Sequence, residues 1–94
     1  MFDIQVDDEG TVRLSGRLDA SQTDRAHAVL AELTRNVTAD CSALEYISSA
    51  GLGIIIVTHK RLLASGHSLK LVNLQPRVRN VFAYAGLDKF LALG

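Results

Sequence analysis

The 94-residue sequence lacks several features that mark large classes of protein. Its single cysteine, Cys41, excludes an internal disulfide and a cysteine-rich zinc site, and it favours a reducing compartment. Tryptophan is absent and aromatic residues make up only 5%, so the chain has few stacking platforms for single-stranded nucleic acid. With one proline and 48% hydrophobic residues, the composition indicates a folded domain with an aliphatic core.

A net charge of one sign is also missing. The formal net charge is zero, which removes the electrostatic footprint of a protein that binds duplex nucleic acid. The charge is nevertheless uneven: residues 1–50 carry nine acids against four arginines, and residues 51–94 carry one acid against six basic residues. Charge runs of this kind usually solvate a surface, so we interpret the two halves as two solvated faces.

Long apolar runs are absent as well. The chain begins with alternating residues, "MFDIQV", rather than with a basic region followed by an apolar stretch, so we predict no secretory signal. The longest apolar run, residues 52–57, is far below the roughly 20 residues that a membrane-spanning helix requires. We therefore predict one soluble cytoplasmic domain over residues 1–94, without membrane insertion.

The first half of the chain changes from a strand pattern to a helix pattern. Alternation over residues 2–6 and 12–15, separated by "DDEG", predicts a β-hairpin. A helical face follows, with Asp19 or Ser21 available as its N-cap. Its apolar positions are Ala26, Val29, Leu30 and Leu33. A short strand is then predicted over residues 37–41.

The second half begins with the segment "GLGIIIVT", whose β-branched residues favour a strand. The segment between Gly51 and Gly66 is too long for a typical strand, however, and we predict a second helix there. The predicted apolar face comprises Leu52, Ile55, Ile56, His59, Leu62 and Leu63.

The C-terminal third predicts one more strand and one more helix. "SLKLVN", residues 68–73, is a compact strand, and the next helix begins at Pro76 and ends before Gly86. A short apolar tail with Phe90, Leu91 and Leu93 is expected to pack back onto the core. The order ββαβαβα predicts an α/β fold: a single small domain with about four strands in a mixed sheet and helices packed on one face.

Two adjacent serines, Ser48 and Ser49, precede the second helix and raise the question of function. The hydrolase motif G-x-S-x-G is absent, no metal-ligand spacing occurs, and "GLG" lacks the rest of a nucleotide-binding motif. Either serine can be an N-cap, which satisfies free backbone N–H groups. The same position also tolerates a phosphate, because the helix dipole favours negative charge at the helix start.

The segment from Asp40 to Gly53, "DCSALEYISSAGLG", resembles the signature of the STAS family of anti-sigma-factor antagonists. The resemblance extends to "SGRLDAS" at residues 15–21 and to "LKLVNLQPRVRNVFAYAGLDKFL" near the C-terminus, and so it covers nearly the whole chain.

This resemblance implies a protein-interaction module that a phosphate switches, and not an enzyme. Ser49 matches the phosphorylated serine, Ser48 stands where the family often has aspartate, and Ala50 stands where it often has serine. By the same resemblance the partner-binding residues are Asp19, Ser48, Ser49, Ala50, Gly51 and Leu52. The implied partners are an anti-sigma factor with serine kinase activity and a PP2C-type phosphatase; no cofactor, metal or nucleic acid is implied.

Two alternatives remain open at this point. In the first, the chain is a STAS subunit or scaffold of a membrane transport complex of the ABC type. In the second, it is a STAS module that binds constitutively, without phosphorylation, and Ser49 is only a helix cap. The sequence also leaves open whether the chain forms a homodimer.

Overall fold

A mixed β-sheet organises the domain, and the computed structural model describes residues 1–89 and 91–93. Strand order in the sheet follows the order along the chain. The strands are β1 (Phe2–Val6), β2 (Thr11–Leu18), β3 (Val37–Ile47), β4 (Leu69–Val72) and β5 (Ala92–Leu93). β1 pairs antiparallel to β2, whereas the β2–β3, β3–β4 and β4–β5 pairs are parallel. The four predicted strands are confirmed, and β5 adds a two-residue strand beside β4.

The described residues form three α-helices, as predicted, and the short strand β5 places the third helix between two strands as well. They are α1 (Thr23–Leu30), α2 (Ser49–Ala64) and α3 (Pro76–Tyr84), with short 3₁₀ turns at Ala20–Gln22 and Leu87–Lys89. Pro76 occupies the first turn of α3, and Gly86 follows that helix with a φ of 74°, a backbone conformation that glycine adopts without steric cost.

The first helix differs in detail from the prediction. Asp19 caps the 3₁₀ turn rather than α1 itself, because its side chain accepts a hydrogen bond from the backbone N–H of Ser21. α1 ends at Leu30, so Leu33 lies beyond the helix, although it is buried in the core. The helical spacing therefore identified apolar residues that pack in the core, but the predicted helix extended past its observed end.

β3 extends to Ile47, beyond the predicted end at residue 41. The prediction was too short because two bulges interrupt the alternation of the strand. Arg13 pairs with Asp40 but Ser15 pairs with Ala43, so β3 contains one extra residue there, and a second extra residue precedes Tyr46. Each bulge shifts the alternation of buried and exposed side chains by one position. The buried residues are Val37, Ala39, Cys41, Leu44 and Ile47. Strict alternation ends at Cys41, which is where the predicted strand ended.

The core lies on one face of the sheet, between the strands and the helices. Strand side chains on that face are almost all aliphatic, and they contact buried residues of the helices such as Leu30, Ile55 and Phe82. The other face of the sheet is polar, as Gln5, Arg13 and Lys70 are exposed there. The prediction that the helices pack on one face is therefore confirmed.

The buried face of α2 differs from the predicted face. Leu52, Ile55 and Leu62 are buried as expected, but Thr58 is buried with them, and Leu63 is 54% exposed. Thr58 can enter the core because its hydroxyl donates to the carbonyl of Ile54 at 2.8 Å, which satisfies its polar group.

The remaining residues of the predicted face of α2 line an open groove. Ile56, His59 and Leu63 face it together with Leu87 and Leu91, and its volume is about 350 Å³. Leu91, from the predicted apolar tail, is buried as expected. Phe90 lies outside the described residues.

Candidate functional site

The predicted site residues meet at the carboxyl ends of two parallel strands. Leu18, the last residue of β2, pairs with Ile47, the last residue of β3. The backbone N–H of Ser48 then donates to the carbonyl of Leu18 at 2.9 Å, which joins the two chain segments directly after the strands. This bond places Asp19 and Ser48 side by side at the same edge of the sheet.

Ser48 is the N-cap of α2. Its backbone is extended, with φ −86° and ψ 170°, and its Oγ accepts a hydrogen bond from the backbone N–H of Gly51 at 3.1 Å. Its carbonyl accepts the first helical hydrogen bond, from the N–H of Leu52 at 2.9 Å. The Ser48 hydroxyl therefore has a structural task, the satisfaction of a free N–H group at the helix start.

Ser49, in contrast, is the first residue of α2 and is exposed. Within residues 1–89 and 91–93, no hydrogen bond involves its hydroxyl, and the cap of the helix is already supplied by Ser48. The positive end of the helix dipole lies at this position. Of the two serines, Ser49 is the one whose hydroxyl is available to another molecule.

Asp19 adds a negative charge to the same edge. Its Oδ1 accepts hydrogen bonds from the Ser21 hydroxyl at 2.6 Å and from the Ser21 backbone N–H at 3.0 Å. The Ser21 hydroxyl, with a smaller contribution from the Ser21 N–H, lowers the pKa of Asp19 below its ordinary value. The carboxylate is therefore charged at neutral pH, and its orientation is fixed by the turn that it caps.

The remaining three predicted residues divide into one that is exposed and two that are not. Ala50 is exposed beside Ser49, whereas Leu52 is only 8% exposed and belongs to the core. Gly51 is buried, and a Cβ there would lie 2.9 Å from both the Leu18 carbonyl oxygen and Ile47 Cγ1. Gly51 and Leu52 therefore shape the surface by holding α2 close to the strand ends. We call the accessible residues Asp19, Ser49 and Ala50 the switch surface.

One pair of residues at this edge was missed at the sequence level. The guanidinium of Arg17 stacks over the ring of Tyr46, with 4.3 Å between its carbon and the ring centroid. The two residues pair across β2 and β3 directly before Leu18 and Ile47. The sequence has no signal for this pairing, because the register depends on the two bulges of β3.

Two side chains of the types used in catalysis, His59 and Cys41, are not placed to activate Ser49. His59 lies ten residues further along α2, about 15 Å away at the helical rise of 1.5 Å per residue, and so cannot serve Ser49 as a base. Cys41 is buried, and burial raises the pKa of its thiol to about 12, so the thiol stays protonated. Within the described part of the chain, no group of three potential metal ligands occurs.

The helices of the described residues are all too short or too polar to span a bilayer. None of them combines the length and the apolar character that crossing a membrane requires.

Relatives with known descriptions share both the sequence pattern and the fold. BtrV of Bordetella bronchiseptica, a protein assigned as an anti-sigma factor antagonist, is 35% identical over 77 residues. The match covers 78% of this chain but 66% of BtrV, just under two thirds of that relative.

Solved structures extend the likeness to the whole fold. An anti-sigma factor antagonist from Mycobacterium paratuberculosis has a TM-score of 0.82 at 24% identity, over 99% of this chain and 83% of that one. SpoIIAA of Bacillus, an anti-sigma factor antagonist in its unphosphorylated form, has a TM-score of 0.77 at 22% identity, over 100% and 88% of the two chains. The phosphorylated form of SpoIIAA gives 0.72. At these identities the likeness shows the fold.

The family itself is shown by a match over almost the entire chain. The family model described as "Mlab, STAS domain" matches residues 2–93, which include every strand and helix described above. The chain therefore belongs to the STAS-domain family.

Proposed function

We propose that this chain is an anti-sigma-factor antagonist whose partner binding is switched by phosphorylation of Ser49. Unphosphorylated, it binds an anti-sigma factor that is also a serine kinase. Phosphorylation of Ser49 by that kinase releases it, and a PP2C-type phosphatase restores the binding form. These events take place in the cytoplasm and require no direct contact with nucleic acid. The observation that carries the proposal is the exposed hydroxyl of Ser49, which forms no hydrogen bond within the described residues, beside a Ser48 hydroxyl that caps the helix.

The position of Ser49 allows a phosphate without loss of the fold. A phosphate adds about 1.5 to 2 negative charges, and the start of α2 favours negative charge through its dipole. Ser49 is exposed, so the phosphate does not enter the core. The effect of the modification is therefore expected at the surface, in what the domain binds.

The same charge disfavours a docked partner. The phosphate adds to the charge of the Asp19 carboxylate on the switch surface, and its desolvation by a partner is costly. A partner that fits the neutral Ser49 and Ala50 surface would meet concentrated negative charge after phosphorylation. The relatives support this scheme: BtrV is assigned as an anti-sigma factor antagonist, and SpoIIAA has been solved in both phosphorylation states.

The acceptor can be tested by intact-mass measurement after incubation with the cognate kinase and ATP. Wild type and Ser48→Ala are expected to gain the mass of one phosphate, and Ser49→Ala is expected to gain none. An undiminished gain in Ser49→Ala would refute Ser49 as the acceptor. Ser48→Ala is the matched control because it removes the neighbouring hydroxyl and leaves Ser49 in place.

The switch can be tested by partner affinity. Ser49→Asp is expected to weaken binding by roughly 100-fold, which corresponds to the cost of burying an unpaired charge in an interface. Thr34→Asp, which adds the same charge in an exposed loop before β3, is expected to leave binding unchanged. Circular dichroism should show a native fold for both variants, and equal affinity of Ser49→Asp and wild type would contradict the switch.

A second candidate function uses the same surface without phosphorylation. As a STAS subunit of an ABC-type transport complex, the chain would bind constitutively, since an unmodified Ser49 is also a normal exposed helix residue. An affinity pull-down with wild type and Ser49→Asp distinguishes the two. A kinase retained by wild type alone supports the antagonist, and an ABC-type ATPase supports the transport subunit.

A further inference from the structure

We propose that Arg17, stacked on Tyr46, binds a carboxylate side chain of the protein that docks on the switch surface. This inference rests on the proposed function, and it adds the chemistry of a second contact beside the phosphorylated residue. It assigns Arg17 and Tyr46 to the docking interface, as a site that stays positively charged whether or not Ser49 carries a phosphate.

The position of the pair makes it continuous with the switch surface. Arg17 and Tyr46 pair across the two strands, and the next pair, Leu18 and Ile47, is the last of both strands. The Ser48 N–H bonds to the Leu18 carbonyl immediately afterwards. A partner that covers the strand ends therefore reaches the Arg17 side chain without crossing another element of the fold.

The charge of Arg17 has no carboxylate partner within the described residues. The ion pair found there joins Arg25 to Asp3, at 2.7 Å. Asp19 is the nearest acid along the chain, and Arg17 contributes to lowering its pKa, but the Asp19 Oδ1 already accepts two hydrogen bonds from Ser21. Arg17 is exposed, so its N–H groups are open to a ligand from outside the chain.

The stacking on Tyr46 prepares the guanidinium for such a ligand. The guanidinium carbon lies over the ring, 4.3 Å from its centroid, and within the described residues the Arg17 side chain donates no hydrogen bond to another protein group. The edge of a guanidinium matches the two oxygens of a carboxylate in a bidentate arrangement. A stacked arginine also loses less conformational freedom on binding, and arginine and tyrosine are enriched among the residues that dominate interface energetics.

A second exposed arginine on the same strand shows what an arginine without these features looks like. Arg13 pairs with Asp40 on β3 and with Gln5 on β1, in a shallow polar hollow of the open sheet face. Both arginines act on a carboxylate at longer range, since Arg13 contributes to lowering the pKa of Asp40 as Arg17 does for Asp19, so the charge setting of the two arginines is comparable. Arg13 is thus a matched control: same residue type, same strand, but further from the switch surface.

The test uses the kinase that the pull-down retains with wild type and loses with Ser49→Asp. The affinity of each variant of this chain for that purified kinase is measured. Arg17→Gln is expected to weaken binding by roughly 20-fold, as the loss of a central interface arginine does, and Arg13→Gln by less than about twofold. Tyr46→Leu is expected to weaken binding by roughly threefold to fivefold, because the guanidinium remains but is no longer held. Arg17→Lys should not restore wild-type affinity, since lysine lacks the bidentate fork.

Three results would overturn the inference. If Arg17→Gln binds like wild type while Ser49→Asp does not, the switch stands and the Arg17 contact is refuted. If Arg17→Gln and Arg13→Gln weaken binding equally, the effect is general charge attraction. If Arg17→Gln alters only the phosphorylated protein, Arg17 binds the Ser49 phosphate instead. Failure of Ser49→Asp to change binding would refute the proposed function separately. Thermal unfolding of each variant confirms that the fold is intact.

Discussion

The two ends of the sheet use polar residues in opposite ways. At the end where β2, β3 and β4 begin, side chains are bonded to the backbone of their own chain: Asp7 Oδ1 accepts from the N–H groups of Glu9 and Thr11, and Arg35 donates to the carbonyls of Asp7 and Asp8. At the end where β2 and β3 finish, the Ser49 hydroxyl and the Arg17 guanidinium lie open at the surface.

This difference separates polar residues that hold the fold from those available to a partner. A polar group that is hydrogen-bonded within the fold contributes to stability, and its substitution lowers the stability of the protein whether or not a partner is present. An exposed polar group without such bonds contributes little to stability, so its effect is expected in binding. The end where β2 and β3 finish, which we call the switch end, contains both kinds of polar residue. Ser48 caps α2 and so holds the fold, whereas the adjacent Ser49 does not.

The largest effect on stability is expected where the switch end is packed most closely. Gly51→Ala places a Cβ 2.9 Å from the Leu18 carbonyl oxygen, which is backbone and cannot move freely. We expect a loss of about 1 to 3 kcal/mol in the free energy of unfolding, measured by urea denaturation. Gly53→Ala is the control in the same helix: nothing lies within 4 Å of its Cβ position, so a gain of up to about 1 kcal/mol is expected. Equal effects would mean that α2 is not held by close packing at Gly51.

A smaller effect is expected from the two serines, and it should separate stability from modification. Ser48→Ala removes the oxygen that accepts from the Gly51 N–H, and we expect it to lower the free energy of unfolding by about 0.5 to 2 kcal/mol. Ser49→Ala is expected to change it by less than about 0.5 kcal/mol. Urea denaturation of both variants measures the difference. A larger loss in Ser49→Ala than in Ser48→Ala would reverse the assignment of the cap.

The smallest effect concerns the dependence of stability on pH at the other end of the sheet. Hydrogen bonds from the N–H groups of Thr11 and then Glu9 lower the pKa of Asp7 below its ordinary value of 3.8. A carboxyl whose pKa is lower in the folded state stabilises the fold above its unfolded pKa, and this contribution is lost as the pH falls through the folded value. Asp7→Asn is therefore expected to reduce the fall in melting temperature below about pH 4.

The matching control is Asp8→Asn. Asp8 is the next residue in the same turn, and within the described residues only its backbone carbonyl takes part in a hydrogen bond. Melting temperatures from pH 7 to pH 2 should show a steeper acid fall in wild type and Asp8→Asn than in Asp7→Asn. Identical curves for all three proteins would contradict the role of Asp7.

The sequence predicted most of the fold because its periods are regular where the elements are regular. The hairpin, the three helices and the strand at β4 each have a local apolar pattern, and the length of α2 outweighed its β-branched residues. The end of β3 was missed because its bulges break the alternation, and the buried face of α2 was misplaced because Thr58 satisfies its own hydroxyl within the helix.

The sequence brought the candidate residues to one place, the start of the second helix, but it did not show which of the two serines caps that helix. Either serine could be the cap as far as the sequence goes, and the hydrogen bond from the Gly51 N–H to Ser48 Oγ identifies Ser48 as the cap. The burial of Leu52 and the Arg17–Tyr46 pair depend on how distant segments pack and on strand register, which no local pattern specifies.

The two bulges of β3 also determine which side chains at the end of the strand face the core. One extra residue exchanges the inward and outward faces of everything after it, and a second extra residue exchanges them back, so Ile47 faces inward as Val37 does. Deleting one residue from 42–46 would therefore turn Ile47 outward and displace Ser48 from the start of α2. Deleting two residues would keep Ile47 facing the core. The placement of Ser48 and Ser49 relative to the core thus depends on β3 containing an even number of extra residues.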